Sequence, residues 1–194
     1  MWVIMAQKIS PAKQAVMKQL KGFAKDSHAA SLASGLMKSC KGDPDQLPSR
    51  IGQANAVVKE VVKQGVSSFY AAEYAKVFTS PEKALATREK LKAEFELEHG
   101  LTPRQSAKMA DCIIFSVAKR QDPHLVDRVS KLASASLAEG IAFTVVADVV
   151  YYNPADVAPE KFAQRCVSTS VKQNKPMNVS EVELRSKLTE AVSS

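Results

Sequence analysis

The least ordinary acid in the chain is Asp148, set in Val145-Val146-Ala147-Asp148-Val149-Val150 and followed by Tyr151 and Tyr152. A carboxylate among apolar residues must find a donor or take a raised pKa. The structural expectation is a lysine, arginine or tyrosine hydroxyl from another helix. The chemical alternative is a general base in an apolar pocket. No second catalytic group follows from spacing, so the residue does not define a reaction by itself.

The other reactive side chains are sparse. His28, His99 and His124 belong to no metal-ligand spacing such as HExxH. His99 closes a charged segment, where a helix C-terminus favours a partly positive imidazole, and His124 follows Pro123 in a helix's first turn. All three read as surface or capping residues. Cys40, Cys112 and Cys166 are odd in number and far apart, with no CxxC, so they read as buried thiols of a reducing, intracellular compartment. GxGxxG, GxxxxGK[ST] and GxSxG are also missing. The expectation is a chain that is not an enzyme, with no cofactor and no metal.

Charge offers a different chemistry. Lys and Arg number 27 against 20 Asp and Glu, a net charge of +7, which suits an acidic partner: nucleic acid, an anionic membrane or an acidic protein face. Anion contact falls to Lys13, Lys18, Lys21 and Lys25 on a first helix, and to Arg104, Lys108, Lys119, Arg120, Arg128 and Lys131 on two later ones. Aromatics interleaved with these residues, as a single-strand binder needs for stacking, are missing from the local sequence. Leu101-Thr102-Pro103-Arg104-Gln105 resembles the opening of a helix-turn-helix reader. The following Arg120-Gln121-Asp122-Pro123 lacks the glycine turn, and the helices it joins are too long. A solvated basic face is the expectation here, with contact to a phosphate backbone as the alternative.

The elements that must position these residues are helical. Alanine supplies much of the apolar content, aromatics are only 6% and glycines seven, which favours close-packed helices over a β-sandwich. At 194 residues the chain buries enough apolar surface to need no staple. Helix starts are marked by Ser10-Pro11, Ser80-Pro81, Thr102-Pro103, Asp122-Pro123 and Asn153-Pro154, each a capping side chain before a proline suited to the first turn. Gln105 after Thr102, and Glu181 after Asn178, complete capping boxes.

The spacing predicts helices over about 11–38, 50–78, 81–98, 103–121, 123–139, 159–170 and 179–192. The first buries Val16, Leu20, Phe23 and Ala24. The second carries Ile51, Ala54, Val58, Val61, Val62, Phe69 and Ala72, with Gly65 inside the stripe. The third is heavily charged and reads as a solvated helix over the outside of the bundle, ended by Gly100. Residues 141–152 suit a buried helix or, from their β-branched content, a strand; a lone strand would leave its backbone unsatisfied. They are too short and polar to cross a bilayer. The expectation is one all-α domain over 1–194, an irregular bundle of about seven helices, with 1–10 and 172–178 extended or looped and no transmembrane segment.

Residues 1–25 carry Lys8, Lys13, Lys18, Lys21 and Lys25 with no acid before Asp26, like an organellar targeting helix. The first arginine is Arg50, and the apolar face runs on past Lys25, as in an ordinary first helix. The leading functional expectation is therefore a non-catalytic structural or accessory subunit of a larger assembly, an organellar (mitochondrial) complex fitting the basic start. Its partners are other protein subunits, met through Val57, Tyr70, Tyr74 and Phe78, which lie off the main stripe of the second helix. The alternative is a phosphate-backbone-directed nucleic-acid binder, such as a viral coat or nucleoprotein or a ribosome-associated protein.

Overall fold

A computed structural model describes residues 9–23 and 25–194, so Lys8, Ala24 and the Met1–Met5 run lie outside the described residues. Ten α-helices and one 3₁₀ turn, Pro44–Gln46, make up the fold, with no strand among the described residues. The chain divides into two compact units, Met1–Pro81 and Glu82–Ser194.

In the first unit α1 (Pro11–Gln19) and α2 (Asp26–Ser39) replace the single helix expected over 11–38. Gly22 breaks it: its φ is +86°, and a Cβ there would stand 3.2 Å from Val58 Cγ1. Asn55, on the helix that follows α2, holds the break, accepting from the Lys21 N–H at 2.9 Å and donating to the Gln19 carbonyl at 2.9 Å. The expected helix over 50–78 is also two: α3 (Leu47–Lys63) and α4 (Ser68–Val77). Gly65, read from the sequence as a helix-interior glycine, has φ +79° and terminates α3. Its N–H donates to the Val62 carbonyl and that of Val66 to the Val61 carbonyl, the paired bonds of a Schellman cap.

Ala71, Ala72 and Ala75 of α4 and Ala29 and Ala33 of α2 are buried, and these two helices pack on each other. Small side chains let their axes approach, which suits an alanine-rich, aromatic-poor composition. Lys76 fastens the same pair, its ammonium reaching both oxygens of buried Glu73 at 2.7 and 2.9 Å and Ser31 Oγ of α2 at 2.8 Å.

The glycines of this region support a prediction of opposite signs. Gly65→Ala forces a left-handed Cβ and costs about 1–2 kcal/mol. Gly52 is exposed in the interior of α3, and a methyl group there would meet nothing within 4 Å. As alanine it gains about 0.5–1 kcal/mol. Thermal melts of the two variants should move in opposite directions; equal shifts would contradict the cap.

The second unit comprises α5 (Pro81–His99, its first residue closing the first unit), α6 (Pro103–Ala118), α7 (Leu125–Ala138), α8 (Phe143–Tyr152), α9 (Pro159–Lys172) and α10 (Glu181–Ser193). Met109, Ala110, Ile113, Ile114 and Val117 bury α6 on more than one side. It packs on α7 and α8, and α10 inserts Leu184 and Leu188 against α7 and α9. Residues 143–152 are helix, not strand: Val145, Val146, Val149 and Val150 are buried, while Thr144, Asp148 and Tyr152 form the outward stripe.

The capping pattern holds at Ser10, which accepts from the Lys13 N–H, and at Thr102 with Gln105, a complete capping box. Ser80-Pro81 also marks a start, since α5 begins at Pro81; elsewhere the pattern shifts. Asp122 accepts from the His124 N–H, so α7 starts two residues after Pro123. Asn153 ends α8 rather than starting a helix, and α9 begins at Ala158-Pro159. The last capping box is Ser180 with Glu183, not Asn178 with Glu181. The loop expected over 172–178 begins after Lys172, with Asn174 at φ +52°.

All three cysteines are buried and free. Burial pushes the Cys166 thiol up to about 12 against the opposing Ser136 hydroxyl, so it stays a protonated core group. No described helix is long and apolar enough to cross a membrane.

Candidate functional site

Residues 104, 108, 115 and 119 recur at intervals of four, seven and four along α6 and its C-cap, which returns each to nearly the same face of a helix. They are Arg104, Lys108, Phe115 and Lys119. The C-terminal end of α8 lies beside this stripe and contributes Tyr151 and Tyr152. Phe115 and Tyr151 stack almost parallel, with centroids 4.2 Å apart and planes 8° from parallel. Tyr152 meets Tyr151 edge-on at 4.9 Å and leaves 70% of its own surface exposed. One aromatic, Phe115, stands among the basic residues of α6 itself, and tertiary packing of a second helix adds Tyr151 and Tyr152 beside it.

Cations frame the rings. Lys119 Nζ stands 4.9 Å from the Phe115 centroid and 5.9 Å from that of Tyr151, and Lys108 Nζ 5.8 Å from Tyr151. These separations place the ammoniums within reach of the negative ring faces. Lys119 also donates to the Tyr151 carbonyl at 2.6 Å and the Asn153 carbonyl at 3.2 Å. Those carbonyls belong to the open end of α8, where a cation is favoured by the helix dipole. Ser116 Oγ donates to the Asn153 carbonyl at 2.7 Å. The end of α8 is therefore pinned to α6, and the ring stack with it.

Two more of the sequence-nominated cations converge on the segment that follows. Arg120 Nε lies 2.8 Å from Asp156 Oδ1, and Arg128 donates to the Val157 carbonyl at 2.9 Å. The Arg120 hydrogen bond holds the exposed Asp156 carboxyl below its ordinary range. Arg104 is exposed in the first turn of α6. Lys131 is not drawn in; it pairs with Asp127 on α7 itself at 3.2 Å. The lysines of the first unit are scattered. Lys13 and Lys18 sit on α1, Lys21 in the break after it, and Lys25 at the start of α2, so they share no single helix face.

The remaining nominated residues are relocated. Val57, Tyr74 and Phe78, expected as an exposed protein-contact face, are buried at 0%, 0% and 7% exposure, and Tyr70 is half-buried. Val62, expected in the core, is exposed. Asp148 is exposed on α8 and accepts from Gln173 Nε2 at 2.6 Å. It is not a carboxylate in an apolar pocket, which removes that basis for a general base. His28 pairs with Ser68 Oγ at 3.2 Å and His99 with Ser134 Oγ at 2.7 Å. Burial lowers the His99 pKa, opposed by Glu98.

A second surface feature lies at the α9–α10 turn. A groove of about 630 Å³ is lined by Val167, Val171, Pro176, Met177 and Val179, with Lys175 and Glu181 also on it. Val171 and Val182 beside the turn are 78% and 73% exposed. Compared with known proteins, the chain matches no family model, no curated protein and no solved structure.

Proposed function

We propose that this protein is a non-catalytic helical subunit that works through its surfaces in a larger assembly. The observation that carries the reading is the apolar groove at the α9–α10 turn, with Val171 and Val182 turned outward beside it. Scattered exposed apolar residues are ordinary, but a concave apolar lining with valines at its edge leaves removable surface where a partner can seat. The fitting occupant is an amphipathic helix of another polypeptide, whose apolar stripe fills the groove. Its polar flanks meet the two charge signs offered by Lys175 and Glu181. This replaces the face first expected on Val57, Tyr74 and Phe78, whose side chains are already consumed by the fold. A basic chain of this kind fits an organellar complex, mitochondrial assemblies included.

The test is the size of the particle that carries the tagged chain in extracts of its own cells. The chain should elute far above its own 21.0 kDa mass, nuclease should leave that size unchanged, and Val171→Glu with Val182→Glu should release free chain of native helicity. A monomer in the extract, or a double variant still held in the large particle, would remove the reading.

A further inference from the structure

We infer that the Tyr152 face of the second unit is a short binding site for single-stranded nucleic acid, with one base stacked on Tyr152 and the adjoining phosphates along Lys108 and Arg104. The site is separate from the α9–α10 groove and does not rest on it.

Tyr152 is the ring that offers area: it is 70% exposed and lies in T-shaped contact with Tyr151, itself stacked on Phe115. A ring held in place by its neighbours loses little freedom when a base settles on it, and every base has a face to stack. Lys119 is a positioning residue. Its ammonium is committed to the α8 carbonyls and sits over the Phe115 ring, so it orders the platform. Lys108, over the Tyr151 ring, and exposed Arg104 one turn earlier on α6 are the phosphate contacts. Acids mark the edges of the surface. Asp148 stands one turn before Tyr152 on α8 with its carboxylate held by Gln173, and Asp156 neutralises Arg120. The strand must therefore run on the α6 side. A bilayer would want several apolar side chains to insert, and an acidic peptide would leave the ring face unused; charge and an exposed stacking plane together select a single strand.

Fluorescence anisotropy of the full chain with labelled 20-mers of deoxythymidine and uridine, and with a 20-base-pair duplex, tests this across a salt series. Both single strands should bind, with affinity falling as salt rises and the duplex weaker. Tyr152→Ala should lower single-strand affinity about 5- to 150-fold. Lys108→Gln should flatten the plot of log affinity against log salt by about 0.7. A preference between the two strands assigns RNA or DNA. Tyr152→Leu separates stacking from mere apolar contact, since it restores bulk without a ring plane and should not restore binding. Circular dichroism keeps each exposed-site variant interpretable. Absence of salt-sensitive binding, equal affinity for duplex, unchanged binding by Tyr152→Ala, or binding only to phosphatidylserine vesicles would each overturn the inference.

Discussion

Replacing Asp111 with alanine should destabilise the second unit by about 3–5 kcal/mol, the cost of removing one partner of a buried ion pair. Arg88 and Asp111 are 7% and 9% exposed, and Arg88 Nε lies 3.2 Å from Asp111 Oδ1. The pair ties α5 to α6. Glu89 also meets Arg88, at 3.3 Å, but its side chain is 57% exposed, so its solvated carboxylate is a poor replacement. Asp111→Asn keeps an acceptor but loses the charge, and its loss should fall between wild type and alanine. The double variant Arg88→Met, Asp111→Leu should recover much of the loss, because two apolar side chains of similar size need no counterion. Urea unfolding of the four proteins is the measurement. A loss under about 1 kcal/mol for Asp111→Ala would mean the pair behaves as a surface ion pair.

That pair also shows what a linear reading misses. Arg88 sits in a helix whose charges, Lys83, Glu89, Lys90, Lys92, Glu94, Glu96 and Glu98, look solvated, yet it falls at four-three-four spacing with Ala84, Leu91 and Phe95 on the buried stripe. Its partner is 23 residues away on another helix, so only tertiary packing identifies it. The α-class and the 143–152 helix are more legible. Thr144, Asp148 and Tyr152 at intervals of four, with valines between them, already spell a helical outward stripe. Asp148 reads as buried because its neighbours are apolar, although the period places it outside. Gly22 and Gly65 are harder. Each lies in an apolar pattern that keeps its register across the break, and the positive φ that makes each a terminator leaves no mark on the hydrophobic period.

The candidate site is half legible for a related reason. The basic residues of α6 can be named from sequence, and Phe115, four before Lys119 and seven after Lys108, carries a signal on the same face. Tyr151 and Tyr152 come from α8, and the bond from Lys119 to the Tyr151 carbonyl that pins them spans 32 residues. Aromatics interleaved within the basic segments are a local pattern, and a stack assembled across two helices leaves no such trace. Where a surface is built by helix packing, periodicity finds each stripe and misses their meeting.

Tyr74→Ala should cost about 3–5 kcal/mol, the range for emptying a core of one large aromatic. The side chain is 0% exposed, and its ring lies 6.2 Å from that of Phe78. Removing both aromatics should therefore cost less than the sum of the single losses, since the pair shares one space. Phe78, at 7% exposure, is the cheaper single loss, and half-buried Tyr70, edge-on to Phe69 at 5.1 Å, cheaper still. The order Tyr74, Phe78, Tyr70 in melting temperature separates two accounts of the same aromatics. If they are core, stability falls in that order and helicity goes with it when Tyr74 and Phe78 are both changed to serine. If they formed a partner face, association would fail while the melt stayed put. Burial of Tyr74 beside Ala71, Ala72 and Ala75, which are themselves at or near zero exposure, argues for the first account.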